Sequence, residues 1–455
     1  MVPLRFFCGV SMHGFVMEEK KKKLVIIGGG FGGLNLAKYL DKKKWDVTLV
    51  DKQNYHSFAP LFYQVASASL EPAGITFPLR REMRKRRTRG CQYTMGTVSV
   101  IDVSRKQILT EFETIPYDTL VIAAGATNNF FGIPGLDQRV YTIKSAPESI
   151  RARNAVLYNL ERASQCEDEH ERRKLLTFAV VGGGPTGVEI AGALGEMKRW
   201  TIIRDYPRIK PEEVNVVLYE GTDKLLRTMS EESSKDALKA LEQLMVDVRL
   251  GKTMKAYEDG FLKFADGETL ETNVVIWTAG ITGQPFTMVG TDVKPGPGGR
   301  FQVDEFNRVK GLDDVYAIGD ISCHVDDRFP RGCPQLAQPA IQQGRTLAKN
   351  LNADAPHIPF SYKDKGSMAT IGRNRAVVDM GKLHFDGWFA WITWLAVHLV
   401  TLLGMRNKFV VLLNWIWNYF GFSTSLRLIL KPTPLPKTPV TPPPAVPEPL
   451  VPPVK

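Results

Sequence analysis

Gly182, Gly184 and Gly187 stand in "VVGGGPTGVEIAG" (180–192), behind a hydrophobic run and ahead of a helix-forming stretch. Glycines at these spacings do a specific job: the first permits a tight turn, the second lets backbone reach a pyrophosphate, and the third lets the helix press against its strand. The N–H groups and positive dipole end of the helix then face the phosphates. The same arrangement occurs earlier in "LVIIGGGFGGLNLA" (24–37), with Gly28, Gly30 and Gly33. A chain with two such turns is built to hold two dinucleotides.

Each turn is followed by an acid at the end of a second hydrophobic run. Asp51 closes "WDVTLVD" 23 positions after Gly28, placed to accept ribose hydroxyls. Glu220 closes "EVNVVLYE" 38 positions after Gly182, a long interval that implies an enlarged helix or loop around "MKRWTIIRDYPRIKPEE". A carboxylate on the adenosine ribose would repel a 2′-phosphate and favour NADH over NADPH. Two cradles in one chain suggest a flavin held permanently in one and a hydride donor docking transiently in the other.

The elements that must position these residues read as two βαβ units, one from Lys23 and one from Leu175. "YDTLVIAAGAT" and "NVVIWTAGI" are buried strands running into small-residue turns. "DVYAIGD" (314–320) pairs naturally with the first unit, so the second domain is expected to be inserted within the first. The expected fold class is α/β: two nested Rossmann-like dinucleotide-binding domains plus a C-terminal amphipathic helical membrane-anchoring segment. The expected boundaries are a flexible N-terminus (1–22), a first part (23–143), an insert (144–272), a second part (273–386), C-terminal helices (387–430) and a disordered Pro-rich tail (431–455).

At 455 residues the chain exceeds one core, and 44% apolar with 24% charged residues is an ordinary globular balance. Much of the net charge of +11 sits in "RREMRKRRTR" (80–89), either a solvated helix face or a contact for anionic lipid. No zinc-finger spacing or interleaving of aromatic and basic residues supports nucleic acid. The five cysteines show no CxxC or metal-ligand spacing, so no metal is expected, and an odd count fits reduced thiols in a cytosolic compartment. From Gly387, "WFAWITWLAVHLVTLLG" and "FVVLLNWIWNYFGF" are apolar and Trp-rich. Each is shorter than the ~20 residues of a spanning helix, so they are expected to lie in the headgroup region. A buried helical hairpin or a dimer interface is the other reading.

Several stretches together give the chain a family resemblance. "VIIGGGFGGL", "NYHSFAPLFYQVASASLEP", "VIAAGAT", "GGGPTGVEIAGAL", "YAIGD", "LAQPAIQQG", "DKGSMATIGR" and the aromatic C-terminal hairpin resemble the type II NADH:quinone oxidoreductases, non-proton-pumping flavoproteins with two dinucleotide-binding domains. The glycine turns are shared widely; "AQPAIQQG" with the hairpin is more specific. The resemblance implies FAD in the first cradle, NADH in the second, and a membrane quinone as acceptor. It further implies a peripheral enzyme of the respiratory chain on the cytoplasmic face of the inner (plasma) membrane, with a homodimer compatible.

The candidate flavin contacts are Gly28, Gly30, Phe31, Gly32, Gly33, Asp51, Lys52, Ala124, Gly125, Gly319, Asp320 and Ala337. Asp320 looks like the family's ribityl contact, although it would also serve as a helix N-cap. The candidate NADH contacts are Gly182, Gly184, Thr186, Gly187, Glu189, Glu220, Ala279 and Gly280. Gln338 and Gln342, four apart on one helix face, could hydrogen-bond quinone carbonyls without the cost of a buried charge. By resemblance, Glu189 lies between nicotinamide and flavin or on a proton route to quinone, and Lys365 lies near the flavin and quinone entrance.

Two rivals remain. A sulfide:quinone oxidoreductase would need paired cysteines beside the flavin, for which Cys166 and Cys333 are the candidates. A flavin- and NADH-dependent redox-signalling binding protein would turn over only incidentally.

Overall fold

The computed structural model describes residues 21–354, 356–421 and 426–429. Most of the expected flexible N-terminus and the whole Pro-rich tail lie outside the described residues. The first sheet begins with β1 (Lys22–Ile27), followed by α1 (Phe31–Tyr39), β2 (Trp45–Asp51), the short α2 (Phe62–Ala66), β3 (Cys91–Met95) and β4 (Thr119–Ile122). The chain then leaves to build a second sheet from β5 (Tyr141–Thr142), α3 (Ala146–Ala163), β6 (Thr177–Val181), α4 (Pro185–Glu196), β7 (Asn215–Tyr219), α5 (Glu231–Gln243), β8 (Val246–Arg249) and β9 (Val274–Trp277). It returns with β10 (Val315–Ala317), which pairs in parallel with β4. The nesting expected from "DVYAIGD" is therefore present.

Both sheets are parallel and five-stranded, in the orders β10-β4-β1-β2-β3 and β5-β9-β6-β7-β8. The sequence boundaries at 144 and 272 need correcting outward. β5 and β9 fall outside them, yet both pair inside the second sheet. Strand pairing, which leaves no break in composition, decides where the insert ends.

Strands covered on both faces must be apolar throughout. Along β1, Leu24 and Ile26 face the helical side while Val25 and Ile27 face the opposite core. Along β6, Phe178 and Val180 alternate with Ala179 and Val181 in the same way. The first sheet is covered by α1 and by α6 (Ala337–Asn352). These two helices touch through glycine: a Cβ on Gly344 would lie 2.5 Å from the Gly32 carbonyl.

The enlarged segment expected after the second glycine turn is helical. α4 runs into a π-helical turn, Met197–Thr201, and one further turn, Ile202–Asp205. The last module is a small antiparallel sheet of β11 (Ser367–Thr370), β12 (Ala376–Met380) and β13 (Leu383–Asp386), followed by α7 (Gly387–Thr401) and α8 (Met405–Gly421). β12 is tied to the insert at the start of α5, where Asp379 accepts hydrogen bonds from Ser230 N–H and the hydroxyls of Ser230 and Ser233.

α7 buries Ala390 and Trp394 against the body, and α8 buries Asn407 and Val411. Full burial of a large apolar side chain such as Trp394 is worth about 2–3 kcal/mol. The carbonyls ending α8 receive guanidinium groups from elsewhere: Arg373 donates to Asn418 and Tyr419, and Arg204 to Gly421. Cations there also oppose the negative end of the helix dipole. The outer side of this hairpin is apolar as well, with Phe389, Val400, Phe409, Leu413, Trp417 and Phe420 all exposed. Among the described residues, no helix is long and apolar enough to cross a membrane.

The α1–α6 contact is open to a direct check. Gly344→Val should push the helices apart and cost about 1–3 kcal/mol as an overpacked site, seen as a lower midpoint in thermal or urea unfolding. An unchanged midpoint would mean that the close approach contributes nothing.

Candidate active site

The first glycine turn sits at the carboxyl end of β1. Gly28 has φ +106°, and a Cβ there would lie 2.4 Å from the Ala123 carbonyl oxygen. A Cβ on Gly33 would lie 2.0 Å from the Gly28 oxygen, so α1 can leave the strand this closely only without one. At Gly30 nothing would be met within 4 Å, which leaves room for a phosphate. Gly30 is also the N-cap of α1 and supplies no side-chain cap, so the first-turn N–H groups, those of Phe31 and Gly32 included, are available to an anion. The Phe31 ring stands edge-on to His56 and Phe58. His56 Nδ1 donates to the Gly29 carbonyl (2.9 Å), and burial pushes this histidine down to about 4, so it is neutral.

Asp51 ends β2 beside this turn, with Oδ2 accepting from Gly29 N–H (2.6 Å) and Oδ1 from Gln53 N–H (2.7 Å). Each oxygen keeps a second lone pair for a ribose hydroxyl. Burial raises the Asp51 pKa, and the two N–H donors offset part of that rise. Lys52, the next residue, is exposed.

The insert repeats this plan. Gly182 has φ +114°, and a Cβ on Gly187 would lie 1.7 Å from the Gly182 oxygen, while Gly184 faces open space. Gly184 caps α4 without a side-chain bond, and Thr186 is exposed on the first turn. Glu220 takes the place of Asp51: Oε2 accepts from Gly183 N–H (2.5 Å) and Oε1 from Thr222 N–H (2.8 Å). Despite the 38-residue interval, Glu220 is therefore in register. Ala279 and Gly280 follow β9 at the same edge, just as Ala124 and Gly125 follow β4 in the first domain.

Gly319 (φ +75°) and Asp320 follow β10, completing the rim of the first sheet. Gln343, the neighbour of Gln342 in the chain, fastens this turn. Buried on α6, it accepts from Gly319 N–H (2.7 Å) and donates to Asn307 (2.7 Å). Its only signal in sequence was its place beside Gln342. Burial raises the Asp320 pKa, and the nearby Lys144 and Arg300 pull it back.

Ala337 opens α6 beside this rim, and Pro339 falls in the first turn, where its missing N–H costs nothing. Gln338 and Gln342 share a face and bind the same strap. Gln338 Nε2 donates to the Gly366 carbonyl (3.1 Å), whereas Gln342 both donates to and accepts from the backbone of Lys363 (2.9 and 3.0 Å). Gln342 is thereby held on both its amide atoms by the strap, while the buried Oε1 of Gln338 has no partner. Lys365 is exposed on that strap. Glu189 is buried one turn into α4; burial holds its carboxyl well above the usual range, opposed by the Thr370 N–H. The Trp394 indole N–H lies beside the carboxylate but makes no well-formed hydrogen bond.

Two parallel sheets, each with a glycine turn, an uncapped helix N-terminus and an acid at its carboxyl rim, define a dinucleotide-dependent oxidoreductase with two nucleotide sites. Residues 22–344 match the pyridine nucleotide-disulphide oxidoreductase family and residues 365–421 the NDH2 C-terminal domain. The chain is 36% identical over 415 residues to the type II NADH:quinone oxidoreductase NdhA of Mycobacterium tuberculosis, covering 87% of this chain and 86% of that protein. It is 33% identical over 409 residues to Ndh of the same organism, covering 85% and 86%. A solved structure of NDH2 from Plasmodium falciparum in complex with NADH superposes with a TM-score of 0.82 at 23% identity, covering 90% of this chain and 100% of that one. The chain belongs to the type II NADH:quinone oxidoreductases. The sulfide:quinone reading is not favoured, because Cys166 and Cys333 pack into different clusters and burial pushes the Cys333 thiol up to about 11.

Glu220 supplies the check on the second cradle. Glu220→Gln should narrow the ratio of kcat/KM for NADH over NADPH, since the repulsion of a 2′-phosphate is removed. A ratio that does not move would take Glu220 out of that role.

Proposed function

We propose that this chain holds FAD in the cradle at Gly28–Gly33 and NADH in the cradle at Gly182–Gly187, and reduces a quinone drawn from a lipid surface without pumping protons. The observation that carries this reading is the pairing of two complete cradles with an unpartnered amide oxygen, Gln338 Oε1, at the start of α6. When bound, FAD supplies hydride acceptance from NADH and electron delivery to quinone. The chain's own residues bind and orient. First-turn N–H groups of α1 and α4 hold pyrophosphates, and Asp51 and Glu220 hold riboses while bracing the glycine turns. Asp320 reaches the ribityl chain, and Gln343 holds its turn in place.

Gln338 is the acceptor-site contact best supported: its buried, unused Oε1 would accept from a quinol hydroxyl, the product form, while the second Nε2 hydrogen, beyond the one given to Gly366, would donate to a quinone carbonyl. Gln342 and Lys365 act with it through the strap at 363–366. Glu189 stands on the insert side of this region as a buried carboxylate suited to hold a proton.

The exposed apolar side of α7 and α8 supports docking on the headgroup region of a bilayer as a peripheral protein; the cytoplasmic face is proposed from the family resemblance. An anionic surface is favoured because the basic segment adjoins that side. Arg81 and Lys85 lie over the Phe77 ring, and Phe77 abuts Gly404 in the turn between α7 and α8. Arg84, Arg86 and Arg89 are exposed on the same segment. The hairpin's exposed face would also serve a homodimer.

Gln338→Ala should raise the KM for a short-chain quinone while stopped-flow reduction of the flavin by NADH proceeds as in the wild type. A slowed NADH half-reaction would contradict the assignment. In sedimentation with vesicles, phosphatidylglycerol should enhance binding over phosphatidylcholine alone. Arg84→Glu and Arg86→Glu should each weaken binding to anionic vesicles by about fivefold or more. Equal binding to both vesicle types would leave the apolar face as the only anchor.

A further inference from the structure

Among the described residues, Phe131 is the one aromatic side chain on a left-handed backbone, with φ +50°. Its side chain is also 63% exposed, so no core holds it there. That region strains any residue but glycine, and outliers of this kind gather at active sites and ligand clamps.

The strained position is braced from several sides. Ala126–Asn128 and Ile281–Gly283, the two crossings between the domains, pair antiparallel, and Phe131 lies just past the first of them. Asn129 donates its N–H to the Gly280 carbonyl (3.2 Å), and its own carbonyl accepts the Trp277 indole N–H (2.9 Å). The Asn129 side chain accepts the Phe131 N–H (2.9 Å). The Phe131 ring stands edge-on to the buried Trp277, with centroids 6.2 Å apart. Backbone and ring are thus both held in place.

That place is the rim of the second cradle. A Cβ on Gly182 would lie 2.7 Å from the Ala279 nitrogen, and one on Gly280 would lie 2.7 Å from Cζ of Phe131. Glycine turn, Ala279, Gly280 and ring therefore follow one another in contact. β9 flanks β6 on the side away from β7. With the adenosine ribose at Glu220, which ends β7, and the pyrophosphate at the β6 turn, the other half of a dinucleotide leaves across the end of β9. The ring stands over that exit.

We propose that Phe131 is a binding residue for NADH, its exposed ring packing against the nicotinamide riboside half of the dinucleotide. The proposal rests on the NADH reading of the second cradle. Nothing covalent is asked of the ring, which covers one side of the ligand, excludes water there and holds that half at the rim. The competing role is a prop between the two domain crossings. So exposed a ring buries too little apolar surface to serve as one.

Phe131→Gly separates the two roles, because glycine takes a positive φ without strain and loses only the ring. In the flavin-loaded enzyme, the NADH Kd, read from the concentration dependence of flavin reduction in stopped flow, should rise about three- to tenfold for the loss of one aromatic contact. The thermal unfolding midpoint should stay at or above that of the wild type, and Phe131→Tyr should restore the Kd. Inhibition by NAD+ should weaken with the Kd, whereas ADP, which lacks the nicotinamide riboside half, should inhibit both enzymes equally. An unchanged Kd for NADH would overturn the proposal. So would a lowered midpoint together with weakened ADP inhibition, which marks a prop. A wild type whose flavin NADH does not reduce would instead refute the reading of the second cradle.

Discussion

The absence of a side chain at four backbone positions governs this structure. Gly33 and Gly187 approach the carbonyls of Gly28 and Gly182 to within the space a single methyl group would need. Those carbonyls belong to glycines at positive φ, a region that other residues enter only with strain. The result is a helix pressed against its strand with its uncapped amino end pointing over the sheet rim. Everything assigned to nucleotide binding follows from that placement.

The two acids show how the same constraint is stabilised twice. Asp51 and Glu220 each accept the N–H of the middle glycine of their turn while sitting at the end of the neighbouring strand. A carboxylate in such a place costs desolvation, and backbone N–H donors return part of that cost. The lone pairs left over are what a ribose would meet. Brace and contact are therefore one group, so replacing either acid alters the turn as well as the ligand site.

The C-terminal module belongs to the body as much as to any surface. Its sheet is fastened to α5 through Asp379, its second helix is capped by Arg373 and Arg204, and Trp415 reaches Gln64 beside the first domain. Trp394 packs at the junction of all these parts, stacked on His398 and near Tyr63. A hairpin held so firmly on its inner side can expose an apolar outer side without collapsing onto the body. That same inner side forms the wall of a cavity around Glu196.

The glycine spacings, the closing acids and the return of "DVYAIGD" to the first sheet were legible because turns and parallel strands impose local rules on residue type. Glu220 was readable as an acid at a strand end even across an enlarged helix. Gln343 and Glu196 were not, because their partners lie far away in sequence, Gly319 for one and Arg373 for the other. The insert's edges at β5 and β9 were fixed by hydrogen bonding between strands, and nothing in composition marks that pairing. Sequence alone thus determined which backbone could cradle a dinucleotide, since that depends on residues within one turn. Only the tertiary structure decided which buried polar groups meet, since that depends on which helix faces share a core.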